Sequence, residues 1–191
     1  MPTRLRNCLF LGLSLIASQA LVAPAYADRD HCPSPGTVAV RDDGQRLVFA
    51  GEDPDEVALC LVRVGEQTRR LLFGFWAPLG PDLDEARSAL ARLLSGGPGT
   101  RVTIREHVFT DSWVETWERG TEEMLPLRSG PRRAVRLDRT MRLQGPTGFR
   151  ATASYWIDTE TGVVLKVTHQ HLEGMKLPYR DLSITHLDTR G

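Results

Sequence analysis

The segment that decides the fold is GFRATASYWIDTETGVVLKVTHQHL, residues Gly148 to Leu172. Apolar and polar residues alternate in both of its halves, and a polar stretch that ends in Gly162 lies between them. Alternation with a period of two is typical of strands that bury one face. A short polar stretch with a glycine that can adopt positive φ is typical of a hairpin turn. The segment therefore predicts two antiparallel strands joined by a short connection.

The same alternation, followed outward in both directions, predicts a long antiparallel meander. Asp42-Asp43-Gly44 and Gly65-Glu66 mark hairpin turns near its start. The fold class is therefore mainly β (α+β), a curved antiparallel sheet or open half-barrel. The predicted strands are Thr37–Arg41, Arg46–Ala50, Val57–Val64, Arg69–Trp76, Arg101–Phe109, Ser112–Arg119, Arg132–Leu143, Gly148–Ile157, Gly162–Leu172 and Tyr179–Leu187.

One amphipathic helix interrupts the strands. Asp82 with Glu85 three residues later forms a capping box, and Gly96-Gly97-Pro98-Gly99 ends the helix. A single amphipathic helix needs an apolar surface to cover, so we expect it to pack across the sheet. Its apolar residues recur at helical spacing: Leu83, Ala86, Leu90, Leu93 and Leu94.

The apolar faces of these elements supply the candidate binding residues. Strict alternation places Leu165 and Val167 on one side of their strand together with His169 and His171. We expect these faces to surround one hollow under the helix, although an ordinary filled core has the same pattern. The candidates for an apolar ligand-binding face are Leu90, Leu94, Trp113, Trp117, Val135, Leu137, Trp156, Leu165 and Val167.

The features between Trp113 and Lys166 follow a recognisable order. A strand with Trp113 and Trp117 precedes a Glu-rich segment, then Gly130 and Ala134-Val135-Arg136-Leu137. Tyr155-Trp156-Ile157-Asp158 follows, then Thr161-Gly162 and Val163-Val164-Leu165-Lys166.

This order resembles the periplasmic lipoprotein-carrier-like (outer-membrane lipoprotein-sorting-like) families, over roughly the C-terminal half of the chain. The resemblance implies an open β half-barrel with helices across an apolar cavity. It also implies that the cavity receives acyl chains or other lipids without catalysis. The carriers have more helices than the one that is clear here.

The first 27 residues predict a cleaved signal peptide. Arg4 and Arg6 precede an apolar stretch from Cys8 to Val22, and Ala25-Tyr26-Ala27 supplies a cleavage motif. A membrane anchor is the rival, but its spanning helix needs about 20 apolar residues. A lipoprotein anchor would require a cysteine at the end of the apolar stretch. Cys8 lies at its start, so we reject this alternative. We therefore expect a periplasmic or secreted protein in which residues 28–191 form a single β-rich domain with no integral membrane segment.

The cysteines and the net charge of that domain indicate its disulfide bonding and the partners it disfavours. Cys32 and Cys60 remain after cleavage, and in an exported chain they predict a disulfide. Loss of Arg4 and Arg6 reduces the 24 basic residues to 22, against 24 acidic residues, for a net charge of about −2. Such a charge does not favour nucleic acid or anionic membranes as partners.

Acidic and basic residues alternate with the aromatic residues in the central strands. Glu115, between Trp113 and Trp117, begins an acidic series that continues with Glu118, Glu122 and Glu123. An arginine-rich strand follows, and such neighbours favour cross-strand ion pairs on a solvated face. A patch of arginines for phosphate or carboxylate headgroups is the alternative.

Catalytic and metal motifs are weak. His169 and His171 share a strand face and could form half of a zinc site, with His186 or His107 as a third ligand. Without a recognised zinc motif, partly exposed histidines are the simpler interpretation. The G-x-S-x-G motif of hydrolases is missing from the sequence. We expect no cofactor, and an enzyme is the less favoured class.

Three functions follow in order of preference. The first is a non-enzymatic binding protein for a lipid, acyl chain or other apolar ligand, with a connected apolar cavity under Leu83–Leu94. The second is a cell-envelope protein-interaction module with a filled core. The third is an envelope hydrolase, which requires titratable groups that converge in a cleft.

Overall fold

The computed structural model of the protein describes residues 32–78, 83–108, 111–145 and 148–189. The predicted signal peptide and the predicted helix cap at Asp82 lie outside these residues. The strands are β1 (Val38–Arg41), β2 (Arg46–Glu52), β3 (Leu59–Val64), β4 (Gln67–Leu72), β5 (Arg101–Val108), β6 (Asp111–Leu125), β7 (Arg132–Gln144), β8 (Phe149–Asp158), β9 (Val164–Gly174) and β10 (Leu182–Asp188), and the helix is α1 (Leu83–Ser95).

All ten strands form one antiparallel sheet in the order β4-β3-β2-β1-β10-β9-β8-β7-β6-β5. Strands that are consecutive in the chain pair by hairpins within β1–β4 and within β5–β10. The β1–β10 pair joins these two meanders. The sheet does not close, so β4 and β5 are its edges, and the predicted open β sheet with one helix across it is confirmed.

Three strand boundaries differ from the prediction by three residues or more. The strand predicted to end at Arg119 continues to Leu125 in β6, because the Glu-rich segment pairs with the start of β7. The strand predicted to end at Trp76 stops at Leu72, because Phe73 and Gly74 both adopt positive φ, 53° and 75°. Gly74 has this freedom, whereas a bulky residue such as Phe73 is rarely found there. The last strand begins at Leu182 rather than Tyr179.

The helix lies where the periodicity predicts it. Its predicted apolar stripe packs against β5 and β6, where Leu83 is partly buried and Ala86, Leu90, Leu93 and Leu94 are buried. Arg119 of β6 is itself buried and donates a hydrogen bond of 2.7 Å to the carbonyl oxygen of Leu94. The last carbonyls of a helix lack partners within the helix, so this arginine ties the helix end to the sheet. Over the part of the chain that is described, no helix has the length and hydropathy needed to cross a membrane.

The buried side chains form two clusters. The first cluster lies between α1 and the concave face of the sheet and includes Leu90, Trp117 and Leu137. The second cluster includes Ala134 and Trp156. Ala134 and Trp156 adjoin Val135 and Ile157 of the first cluster in the chain, so at β7 and β8 the clusters occupy opposite faces of the sheet.

The predicted face of Leu165 is wrong. Trp156 pairs with Lys166, but the next residue of β8, Ile157, pairs with Val164, so Leu165 is an extra residue in β9. An extra residue in one strand shifts the side-chain alternation. Leu165 therefore packs in the second cluster, whereas Val167 packs in the first cluster with Val135 and Leu137. The alternation of β9 in the sequence contains no sign of this irregularity.

The predicted disulfide is present. Cys32 and Cys60 are bonded, with their Cα atoms 5.4 Å apart, and the bond ties the segment before β1 to β3. The next residue, Pro33, packs close to Gly74, where a Cβ atom would lie 3.0 Å from its Cδ. The start of the described chain thus supports the turn that follows β4.

Candidate binding site

A short segment divides the concave space of the sheet. Residues Phe73–Trp76, here named the crossing segment, follow the edge strand β4 and fold back on Leu72. The backbone N–H of Leu72 donates to the Trp76 carbonyl oxygen (2.8 Å). Trp76 reaches β6, near the opposite edge of the sheet, where its Nε1 donates to Glu115 (3.0 Å). The crossing segment therefore spans the concave face.

On the helix side, Glu115 is the centre of a buried polar network. Its side chain is fully buried and accepts hydrogen bonds from the indole Nε1 atoms of three tryptophans, Trp76 (3.0 Å), Trp113 (2.6 Å) and Trp117 (3.0 Å). Arg139 of β7 completes the set through Nε (3.0 Å) and Nη2. A buried carboxylate is costly unless it is paired and hydrogen-bonded, and both conditions hold here.

Arg139 links this carboxylate to the rest of the concave face. Its Nη1 donates to the Tyr155 hydroxyl (3.0 Å), and its guanidinium carbon lies 5.1 Å from the centre of the Trp117 ring. Burial alone would lower the pKa of Arg139, but Tyr155 and Glu115 outweigh burial and hold that pKa above its ordinary value. Arg139 therefore keeps its charge opposite Glu115.

The Glu115 network corrects two predictions. Glu115 does not belong to a solvated face, because alternation places it on the same buried face as Trp113 and Trp117. The space beneath α1 at this point is filled by large buried side chains such as Leu90, Leu93 and Trp117. The Trp-x-Glu-x-Trp spacing in the sequence could have indicated that Glu115 is buried. Alternate residues of a strand share a face, so a glutamate between two buried tryptophans lies on the buried face.

A cavity of about 210 Å³ lies on the other side of the crossing segment. Gly74 and Phe75 of that segment form part of its wall, and the walls are mainly apolar. The cavity is partly open to solvent, and its described lining contains no residue of α1. The remaining lining residues are Arg41, Leu47, Phe49, Val62, Val64, Arg69, Leu71, Tyr155, Val164, Val167, His169, Arg180 and Leu182.

The volume of this cavity sets the size of what it can hold. A dry apolar cavity of roughly 150 Å³ accepts benzene, whereas pockets that bury drug-sized ligands measure about 300–1,000 Å³. At about 210 Å³, the cavity suits one short apolar chain or one ring. It is too small for a complete lipid with several chains.

The charged side chains of the cavity are all basic. Arg41, Arg69 and Arg180 line it, and the described lining contains no aspartate or glutamate. Arg41 pairs with Asp43 at 3.0 Å, but its Nε is buried and has no hydrogen-bond partner among the described residues. Within those same residues, Arg69 and Arg180 take part in no ion pair. The cavity thus combines apolar walls with two guanidinium groups, those of Arg69 and Arg180, that have no counter-ion among the described residues.

A further titratable group, His169, lies at the boundary of the cavity and the strand connection before β10. Its ring stacks on Tyr179 with centres 5.1 Å apart, and its Nδ1 lies 3.7 Å from Asp181. Burial lowers the pKa of His169 although Asp181 opposes the shift, and burial likewise raises the pKa of Tyr179. His169 is therefore held neutral and the Tyr179 hydroxyl protonated near pH 7.

The structure separates the predicted binding residues. Trp156 and Leu165 lie in the second cluster, and the other candidates lie in the first. Val167 is the candidate that also lines the cavity. Trp156 is surrounded instead by Glu123, which accepts a hydrogen bond from its Nε1, and by the cations of Arg136 and Lys166, 5.6 and 4.7 Å from its ring centre.

The candidate metal ligands His169 and His171 share a face, as the alternation predicts. They contact aromatic rings: His171 lies 6.1 Å from the ring centre of Phe149, and His169 lies near Tyr155 and Tyr179. His186 belongs to β10, where it pairs with Val40 of β1. No cluster of three or more histidine, cysteine or acidic side chains suited to a metal ion occurs in the described ranges.

Sequence reasoning missed the N-terminal half of the cavity. Phe49, Val62, Leu71 and Arg69 come from β2, β3 and β4, which the sequence places in the sheet without any indication of function. No local signal shows that these strands face β8–β10 across the concave space. Their partners depend on the β1–β10 pairing, which joins residues about 150 positions apart.

Two solved structures resemble the chain over most of its length. One solved structure, the hypothetical lipoprotein YmcC from Escherichia coli, is 15% identical, with a TM-score of 0.46 over 83% of this chain and 88% of that chain. A second, from Bacteroides fragilis, is described as exported with a YmcC-like fold. It is 9% identical, with a TM-score of 0.36 over 82% of this chain and 97% of that chain. No family model and no curated protein matches the chain.

Proposed function

We propose that this protein is an exported, non-enzymatic binding protein that holds an acyl chain or another small apolar ligand in the concave face of its sheet. The observation that carries the proposal is the cavity of about 210 Å³ with mainly apolar walls. A small apolar ligand that fits such a cavity gains binding free energy because burial of apolar surface is favourable. The pattern of residues 1–27 and the Cys32–Cys60 disulfide support an oxidising location such as the periplasm.

The binding site in this proposal differs from the site expected from the sequence. The ligand occupies the space between β1–β4 and β8–β10, and not the helix-covered space around Glu115. The crossing segment forms the wall between the two spaces, with Phe75 on the cavity side and Trp76 bonded to Glu115. The helix-covered half then serves as the rigid support of the site.

The test fills the cavity and measures binding of a fluorescent acyl probe to the purified protein. Val164 lines the cavity and is partly buried, so Val164→Phe adds bulk within the site. We expect this variant to bind the probe at least about tenfold more weakly, because its ring takes volume from the ligand. Val57→Phe is the matched control, since Val57 is 60% exposed. Equal binding by both variants and the wild type would refute the cavity as the site.

The interaction module is the second candidate, and the filled helix-covered half favours it. Exposed apolar side chains at Val57, Met124 and Met175 would be available to a partner. The same titration separates the two functions. An interaction module predicts no saturable binding of the acyl probe, and its surface variants would alter partner binding without any change at Val164.

A further inference from the structure

The residues that line the cavity indicate which headgroup the ligand has, as well as the size of its apolar chain. We infer that the ligand is a single-chain amphiphile with an anionic headgroup, a carboxylate or a phosphate, held by Arg41, Arg69 and Arg180. This inference rests on the proposed function and narrows it to one chemical class. It differs from a neutral apolar ligand, which would have no use for guanidinium groups around its site.

The first step is the composition of the lining. The described lining contains about ten apolar side chains, three arginines, one histidine and no carboxylate. An arginine presents several N–H donors in a fixed planar group that matches carboxylate and phosphate oxygens. The lining is therefore apolar and basic, with no acidic side chain among its described residues. Such a lining complements an amphiphile that has an anionic headgroup.

The second step is the state of the three guanidinium groups. Arg69 and Arg180 are exposed at the cavity and have no ion pair among the described residues. Arg41 is only 22% exposed, and its Nε is a buried donor with no acceptor in the described structure. The guanidinium of Arg41 already donates to Gln45 through Nη1 (2.6 Å) and pairs with Asp43 at 3.0 Å, so the charges of Arg69 and Arg180 are the ones left for a ligand.

The third step is the position of the arginines in the sheet, since two of them lie in or next to the paired strands β1 and β10. Arg41 at the end of β1 is in register with Ile184 of β10, and Arg180 lies just before β10 begins. Leu182, between them, pairs with Val167 and lines the cavity. Arg41 and Arg180 therefore border one region of the cavity, while Arg69 on β4 approaches from the other side of the lining.

The ordinary alternative is that these arginines extend into solvent and cover the apolar wall with their methylene groups. This alternative explains Arg69 and Arg180 taken alone. It does not explain why the described lining has no acidic side chain beside three arginines, and it predicts no preference for charge in the ligand.

The experiment compares three probes with the same eight-carbon chain by isothermal titration calorimetry: octanoate, octyl phosphate and 1-octanol. We expect the anionic probes to bind about tenfold or more tightly than 1-octanol, because hydrogen bonds to charged groups are the stronger ones. Tighter binding of octyl phosphate than of octanoate would identify phosphate as the preferred headgroup, and the reverse order would identify carboxylate.

The variant arm removes the charge of two arginines and keeps a polar side chain at each position. Arg69→Gln with Arg180→Gln should weaken octanoate about tenfold or more and leave 1-octanol unchanged. The matched control is Arg63→Gln with Arg105→Gln, since both residues are exposed, lie outside the described lining and change the net charge equally. The control variant should bind octanoate as the wild type does.

The outcomes separate the inference from the proposed function. Equal binding of octanoate and 1-octanol would overturn the inference and leave the apolar binding site intact. Equal weakening by the two double variants would also overturn it, because the effect would then come from the general field of the protein. Binding of none of the three probes would count against the proposed function itself.

Discussion

The two halves of the concave face differ in how their charged groups are paired. Under α1, the carboxylate of Glu115 meets three indole N–H donors and Arg139, so the polar groups satisfy one another inside a filled core. Beyond the crossing segment, where β1–β4 face β8–β10, the arginines line a cavity without acidic partners in its described lining. The first half provides rigidity and the second leaves room for a ligand.

The difference teaches that burial of a conspicuous aromatic residue is a poor guide to ligand binding. Trp113 and Trp117 are the most obvious pocket residues in the sequence, but their indole groups are used to hold Glu115. The cavity is instead walled by ordinary strand residues such as Val62 and Leu71. Three changes test whether the two halves differ as described, from the largest expected effect to the smallest.

Substitution Glu115→Gln should destabilise the protein by about 3–5 kcal/mol, because it leaves the buried charge of Arg139 without its counter-ion. Urea unfolding followed by circular dichroism measures the loss. Glu118→Gln is the matched control on the same strand, since Glu118 forms an exposed pair with Arg101 that is worth only about 0–1 kcal/mol. A loss of less than about 1 kcal/mol at Glu115 would contradict the role assigned to the network.

Truncation of leucines should separate the filled half from the hollow half. Leu90→Ala should cost about 2–5 kcal/mol, because Leu90 is fully buried between α1 and the sheet. Leu71→Ala should cost less, since Leu71 is only partly buried and already borders the cavity. Denaturant unfolding of both variants makes the comparison. Equal losses at the two positions would mean that the two halves are packed alike.

The smallest expected effect is a dependence of stability on pH at the boundary of the cavity. The pKa of the folded His169 lies below its ordinary value of 6.5, chiefly because of burial. Below about pH 6.5, His169 binds a proton more readily in the unfolded chain than in the folded protein. The free energy of unfolding therefore decreases as pH falls. The groups facing His169 are Asp181, Tyr179, Tyr155 and Arg139.

The check is the free energy of unfolding measured between pH 7.5 and pH 5.5 for the wild type and for His169→Gln. The variant should lose less stability on acidification than the wild type. His186→Gln is the control, because His186 is exposed on β10. An unchanged pH profile in His169→Gln would show that another group is responsible.

Much of the fold could be predicted from local patterns. The ten strands, the helix with its stripe from Leu83 to Leu94, and the Cys32–Cys60 disulfide all follow from periodicity, turn residues and compartment. Errors arose where a single residue changes the geometry. The extra residue Leu165 reverses its own face, and positive φ at Phe73 turns the chain back across the sheet.

The binding site could be predicted only in part, because its walls come from distant segments. Val167 was identified from alternation, and it does line the cavity. Phe49, Arg69 and Arg180 could not be identified, since nothing in their neighbourhoods distinguishes them from other strand and loop residues. Glu115 was visible in the sequence, but its meaning depends on Arg139 and Trp76, which lie 24 and 39 positions away.

The sequence by itself determined which residues form strands, which face of the helix is buried and which cysteines pair. These outcomes depend on period, local turn geometry and compartment, all of which can be read from neighbouring residues. Only the tertiary structure decided which half of the concave face is filled and which is hollow. That choice depends on the path of Phe73–Trp76 across the sheet and on the β1–β10 pairing, and both bring together residues far apart in the chain.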